Sequence, residues 1–251
     1  MKTLVVLPTY NEADSLPSLV PKILECGGLD VLVVDDASPD GTADCVDGLF
    51  GAEAGVRVLR RNGPRSFAGS ALDGMREAIN GPYDAIVTMD ADGSHDPRHI
   101  PDLLAGLADA DLVVGSRYLR GVSVVNWPLH RIALSSFANA MARRLLRLPV
   151  RDLTSGFMAM RVDVPLNLRL CAIKTQGYGY LMEFKWRTVR AGFSLSEKPI
   201  IFVERREGAS KMGTRHAREA FGMLLRLAYL ERAGGPDADC EDPWMAEAGG
   251  G

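Results

Sequence analysis

The chain has 251 residues, 47% hydrophobic and 24% charged, enough for one large α/β domain or two small ones. Its formal net charge of −3 argues against the basic face of a nucleic-acid binder. The tail from Gly234 onward holds Asp237, Asp239, Glu241, Asp242 and Glu247 and no Lys or Arg, so the body is net positive, with much of its basic charge in the second half.

Leu4-Val5-Val6-Leu7 opens the chain as a buried strand with no charged-then-apolar leader before it, so no signal peptide is expected. Helical spacing follows near 13–25, then a strand at Val31–Val34, a helix near 41–50 and a strand at Val56–Leu59. A helix near 68–80, a strand at Ala85–Met89, a helix near 97–108 and a strand at Leu112–Gly115 continue the pattern. This alternation predicts an α/β fold, with a Rossmann-like, mostly parallel central sheet flanked by helices. The second half differs. An amphipathic helix is predicted over 128–148, with Arg131, Arg143, Arg144 and Arg147 among Leu, Ile, Ala and Phe. Thr154-Ser155-Gly156-Phe157, a helix near 180–191, a strand near 198–203, a basic loop from Arg205 to Arg215 and a helix over 216–232 follow.

Residues 1–233 therefore read as a single domain and the acidic 234–251 as a disordered tail. No apolar stretch reaches the ~18–20 residues that span a bilayer. The four cysteines (Cys26, Cys45, Cys171, Cys240) share no short metal or redox spacing and read as idle thiols of a reducing compartment, so the expected location is cytoplasmic.

In a parallel sheet, ligands bind outside the carboxyl ends of the strands, where this sequence is polar. The first strand ends at Pro8-Thr9-Tyr10-Asn11-Glu12, the second at Asp35-Asp36-Ala37-Ser38-Pro39-Asp40-Gly41-Thr42, the fourth at Asp90-Ala91-Asp92-Gly93-Ser94-His95 and the fifth at Ser116-Arg117-Tyr118. Asp90 and Asp92, one residue apart at a strand end, can share a hard divalent cation that grips a diphosphate. Of Asp35 and Asp36, one suits a turn or cap and the other a ribose. Arg117, Arg205 and Lys211 could neutralise phosphates, with Gly208 and Gly213 giving the last two a mobile loop.

Other motifs are weaker. There is no Gly-x-Gly-x-x-Gly and no Walker loop, which disfavours a nicotinamide enzyme or an ATPase. His95 and His99 share a helical face only if His95 is itself helical, so zinc is not expected. Ser155 lacks nucleophile-elbow spacing. Glu183, among apolar neighbours, is either an active-site carboxylate or half of a structural ion pair.

Together these clusters resemble the family-2 glycosyltransferases of GT-A fold, specifically the polyprenyl-phosphate (dolichol-phosphate) mannose synthase type. The likeness runs from Leu4 to about Leu230 and is narrowest at Gly115–Tyr118, Asn126-Trp127-Pro128, Thr154–Phe157 and Glu204 through Met212. It implies that Pro8, Tyr10, Glu12, Val34 and Asp36 hold the nucleoside. It also implies that Asp90-Ala91-Asp92 binds Mg2+ or Mn2+ and the diphosphate, with Arg205 and Lys211 closing over it. Arg117, Arg131 and Ser135 would receive the acceptor phosphate, and Asp92, Arg117 and Arg131 would be catalytic. Residues 1–118 become the nucleotide-sugar half and 119–233 the acceptor and membrane-interface half.

The implied partners are a nucleotide-sugar donor (GDP-mannose favoured), a polyprenyl phosphate, the cytoplasmic face of a membrane and a separate membrane-anchored protein. Many relatives of this type carry Gln where this chain has Ser94, and Arg65–Ala71 departs from their Lys/Gly-rich pattern. The rival readings are a UDP-glucose-dependent polyprenyl-phosphate glucosyltransferase, a transferase to a soluble sugar with Glu183 as base, a metal-dependent phosphohydrolase, and an inactive nucleotide-binding or membrane-scaffold protein.

Overall fold

The computed structural model describes residues 1–51, 55–173, 175, 177, 179–203 and 214–233. The first half realises the expected alternation: β1 (Thr3–Thr9), α1 (Leu16–Leu24), β2 (Leu29–Asp35), α2 (Thr42–Phe50), β3 (Val56–Arg60), α3 (Phe67–Ile79), β4 (Ala85–Thr88), α4 (Ile100–Ala105) and β5 (Leu112–Ser116). Then come β6 (Val124–Val125), α5 (Leu129–Leu146), β7 (Met158–Arg161), α6 (Asp163–Asn167), α7 (Tyr180–Arg190), β8 (Leu195–Pro199), β9 (Phe202–Val203) and α8 (Thr214–Ala233).

Among the described residues, seven strands form one sheet in the order β3-β2-β1-β4-β7-β5-β8, and β6 pairs with β9 in a separate ribbon. Every pairing in the large sheet is parallel except those of β7 with β4 and β5. Side chains alternate across the sheet with period two. Leu4, Val6, Leu32 and Val34 therefore face a core built with α3, α5, α7 and α8, while Val5, Leu7, Val31 and Val33 face α1, α2 and α4. Both faces are covered, which explains why β1 and β4 are buried along their whole length. Gly74 lets α3 lie close on β1, because a Cβ there would stand 2.2 Å from Val6 Cγ1.

Three details differ from the sequence-based expectations. Strand β7 is not among the expected elements, since its Met-Ala-Met-Arg run lacks the β-branched residues that mark strands. The strand expected over 198–203 divides into β8, on the sheet edge beside β5, and β9, with Ile200 buried in the core between them. Cys171 is disulfide-bonded, whereas Cys26 and Cys45 are free. Close spacing reveals local motifs only, and a disulfide depends on distances the fold sets.

The inward face of α5 is Asn139, Ala142 and Leu146, and the helix packs beside α8. Leu129, Leu134 and Phe137 of α5, and Phe221, Leu225 and Tyr229 of α8, stay exposed. Among the described residues no helix is long and apolar enough to cross a membrane. The tail over 234–251, expected to be disordered, lies outside the described residues.

Candidate active site

The carboxyl ends of β1, β2 and β4 point to one edge of the sheet through parallel pairing, and β5 shares their direction because β4 and β5 both run antiparallel to β7. Because β7 runs the other way, its amino end reaches the same edge and brings Thr154-Ser155-Gly156 with it.

The loop after β1 is held by the turn after β2. Ser38 Oγ accepts from Asn11 N (3.0 Å), Thr42 Oγ1 from Glu12 N (3.0 Å) and Asp40 Oδ2 from Ala13 N (3.2 Å). Ser38, Asp40 and Thr42 thus act as turn chemistry that shapes the Tyr10–Ala13 loop. Arg65 lays its guanidinium over the Tyr10 ring, 3.6 Å from the centroid.

Asp35 and Asp36 are both buried. Asp35 Oδ2 accepts from Ser38 N (3.1 Å), which makes Asp35 the turn residue of the pair. Asp36, the expected nucleoside carboxylate, is already engaged on both oxygens. Oδ1 pairs with Arg61 and Oδ2 accepts from Ser66 N (2.7 Å). Arg61 also donates to Asp73 (2.6 Å). Arg61 is absent from the sequence-based candidates, although it follows β3 on this same edge. Val34, expected to hold the nucleoside, points its side chain into the core with Ala71 and Met75 of α3, so only its main chain is near the edge. Pro8 is buried at the end of β1, opposite Val34.

Asp90 and Asp92 follow β4. Asp92 Oδ1 accepts from Ser94 N (2.9 Å), a tight turn that leaves Ala91 and Ser94 buried beneath the carboxylates. The Asp90 side chain is 28% exposed. Burial raises its pKa above the ordinary carboxyl value; Asp92 and Glu12 add to the rise, while Arg117 opposes it. Like charges gathered in a partly desolvated site disfavour ionisation, and a cation would relieve this. Gly156 passes so close that a Cβ there would stand 3.3 Å from Asp90 Oδ1.

His95 is buried and accepts a hydrogen bond from Asp90 N at Nδ1 (3.0 Å). It stacks on Phe157 and meets Phe202 edge-on. Burial lowers its pKa, favouring the neutral ring that this acceptor role requires. His99 turns elsewhere and accepts from Ile201 N (3.2 Å). Among the described residues no three His, Cys, Asp or Glu side chains cluster as a metal site.

Arg117 corrects an expectation. It is buried, donating from Nε and Nη2 to Asp152 (2.7 and 2.8 Å) and from Nη2 to Thr154 Oγ1 (2.7 Å). A buried guanidinium needs a partner, and the fold supplies one 35 residues away. Burial alone would raise the Asp152 carboxyl, but the Arg117 charge and hydrogen bonds hold it below its usual value. Arg117 therefore anchors a loop and does not stand open as a phosphate receptor.

Around it, Tyr118, Trp127 and Phe202 form an aromatic wall with ring centroids 5.4–5.6 Å from the Arg117 guanidinium. Arg131 lies over Trp127 at 4.2 Å, and Tyr118 OH donates to Ser135 Oγ (2.7 Å). Arg131 and Ser135, one turn apart on α5, thus face the end of β5. Arg205 and Lys211, expected to close over the diphosphate, lie outside the described residues. Glu183 takes the structural alternative. It is buried, paired with Arg187 (2.9 Å) and accepts from Thr175 Oγ1 (2.7 Å).

Residues 4–165 match the family described as Glycosyl transferase family 2. An undecaprenyl-phosphate mannosyltransferase of Micrococcus luteus is 42% identical over 233 residues, covering 92% of this chain and 96% of its own. A polyprenol monophosphomannose synthase of Mycolicibacterium smegmatis is 41% identical over 240 residues, 93% of this chain and 91% of its own. Glucosyl-3-phosphoglycerate synthase from Mycobacterium tuberculosis, solved with Mn2+ and uridine-diphosphate-glucose, shares the fold at 20% identity with a TM-score of 0.63, covering 94% of this chain and 80% of its own. With a match over more than half its length and two relatives similar almost end to end, the chain belongs to glycosyl transferase family 2.

Proposed function

We propose that the chain transfers mannose from GDP-mannose to the phosphate of a polyprenyl phosphate, working at the cytoplasmic face of a membrane. The observation that carries this is a convergence. The Asp90/Asp92 pair and the Arg131–Ser135 face of α5 open on one edge of one sheet. The two relatives above act, by their names, on undecaprenyl phosphate and polyprenol.

Two carboxylates suit a hard cation that completes its oxygen shell with a diphosphate and water, as Mg2+ and Mn2+ do. The residues present fit such an ion, with Asp90 and Asp92 holding it. When bound, it would neutralise charge on the leaving diphosphate. Pro8, Tyr10, Glu12 and Asp36 border the nucleoside subsite, Asp36 with its carboxylate already oriented by Arg61. Arg205 and Lys211 are assigned to the diphosphate.

On the acceptor side, Arg131 and Ser135 face the incoming phosphate, and Arg117 supports them from below through the loop it anchors. An acceptor phosphate oxygen attacks the anomeric carbon as the bond to the nucleoside diphosphate breaks, inverting that centre. A phosphate monoester is already an anion at neutral pH, so no general base is required. This agrees with a His95 turned to Asp90 N and a Glu183 closed in its ion pair.

The lipid gives a use to the exposed apolar residues of α5 and α8. Such faces, with Arg143 and Arg144 exposed beside them, suit the boundary between headgroups and acyl chains. Flotation with anionic vesicles checks this, and failure to bind would remove the interfacial part of the proposal. The decisive assay is a donor panel with polyprenyl phosphate and Mg2+ or Mn2+, following lipid-linked sugar. GDP-mannose is expected to give product and UDP-glucose little; the reverse preference would overturn the choice of sugar.

A further inference from the structure

Beneath the site edge, α7 is buried from Tyr180 through Thr188, yet it carries Glu183, Lys185 and Arg187. Glu183 and Arg187 pair with each other. Lys185, with no exposed surface, instead donates from Nζ to two main-chain carbonyls, Leu153 O (3.0 Å) and Ser155 O (2.8 Å). The charged groups acting on it are Asp152 and Arg117, already paired with each other, and Glu197, whose Oε1 accepts from Asp152 N (2.9 Å).

The two carbonyls belong to a strap, Asp152–Gly156, that reaches both halves of the site. At one end Leu153 N donates to Asn139 Oδ1 (2.8 Å), and Asn139 Nδ2 donates to Ser135 O (3.0 Å) on α5. At the other, Gly156 O accepts from Thr88 Oγ1 (2.8 Å), and Gly156 lies against Asp90 Oδ1. The chain bends at Leu153 and Thr154, which brings both carbonyls within reach of a single amine.

We propose that Lys185 is a positioning residue for the transfer: by holding Leu153 O and Ser155 O it fixes the separation between Asp90 and the Arg131–Ser135 face of α5. This rests on the functional reading above. Removing the amine leaves two buried carbonyls without a donor, and the strap must shift to find others. Burial pushes the Lys185 pKa down to about 7. A neutral amine keeps two N–H donors, so both contacts survive loss of its proton.

The test compares wild type with Lys185→Met, nearly isosteric but without a donor, Lys185→Gln, which restores an N–H2 group, and Asn139→Ala at the α5 end. Mannosyl transfer is followed at a temperature where each variant is folded, alongside calorimetric binding of GDP with Mn2+. Lys185→Met and Asn139→Ala are expected to lower kcat roughly 10- to 100-fold, the scale of a small misplacement of reacting groups, with GDP affinity and donor KM nearly unchanged. Lys185→Gln should recover part of the loss. Amide exchange over Asp152–Phe157 should quicken in both donor-deleting variants while β1 keeps its protection.

A folded Lys185→Met with wild-type kcat, a loss confined to KM or GDP affinity, or unaltered exchange of the strap would each overturn the inference. If Lys185→Met does not fold, Asn139→Ala decides by the same measures. A wild type that makes no lipid-linked product from any donor defeats the functional reading itself, an outcome separate from a variant that merely matches an active wild type.

Discussion

Lys185 also makes a prediction about stability that is independent of catalysis. Its pKa falls from 10.5 to about 7 on folding, with burial as the largest cause. Below about pH 7 both states hold the proton, and the group adds no slope. Between about 7 and 10.5 the unfolded chain holds a proton that the folded chain has released, so stability rises with pH across this window. At about 1.4 kcal/mol for each pH unit crossed, the whole rise is on the order of 4–5 kcal/mol, a net figure that already includes the opposing pull of Asp152 and Glu197 toward the charged amine. Lys185→Met removes the titration and nothing else that ionises. Urea unfolding of both proteins at about pH 7, 8 and 9 measures the gap between them. Wild type should gain on the variant by roughly 1 kcal/mol per pH unit. A gap that stays flat would refute the claim that Lys185 enters the fold without its proton.

Three other outcomes follow from the site. Asp90→Ala and Asp92→Ala should each cut kcat by roughly 10²–10³-fold, about 3–4 kcal/mol of transition-state stabilisation, as read by transfer of labelled mannose. Gly156→Ala should leave the melting temperature close to wild type but slow transfer, because the new methyl group crowds Asp90 Oδ1 at 3.3 Å; equal turnover would show that this carboxylate has room to move. Asp152→Ala strands the buried Arg117 guanidinium and should cost about 3–5 kcal/mol in urea unfolding, against less than about 1 kcal/mol if water reaches the arginine.

The first half of the fold was legible because its strands are apolar runs with β-branched residues, broken by helices of clear period. The parallel order followed, and with it the edge where Asp90 and Asp92 sit. The same reasoning failed where a residue's role depends on a distant partner. Asp36 and Arg117 were placed on the right edge, but their ion-pair partners lie 25 and 35 residues away, with nothing local to announce them. Glu183 stands out among apolar neighbours in the sequence, whereas Lys185, two residues on, does not. Periodicity marks a buried face, and only the packed structure shows which buried charge is matched on its own helix. Strand β7 was hidden in Thr154-Ser155-Gly156-Phe157-Met158-Ala159-Met160, which reads as a motif followed by Met and Ala rather than as a strand.

That hidden strand decides how separable the two halves are. A nucleotide-sugar half ending at Tyr118 would contain β1 to β5, which in sequence read as a complete parallel sheet. The register says otherwise: β7 lies between β4 and β5, pairing Val87 with Ala159 on one side and Val113 with Ala159 on the other. Without it, β4 and β5 have no shared ladder, and two fully buried strands would present unpaired edges to water. The same reversal of direction puts Ser155 and Gly156 at the active edge; a parallel strand in that slot would carry them to the opposite end of the sheet. A fragment of residues 1–118 should therefore show no cooperative unfolding transition and should aggregate through its open edges. A soluble, monomeric fragment with a sharp urea transition would mean that β4 and β5 can close on each other, and that the strap from Asp152 to Gly156 is an addition to a sheet that did not need it.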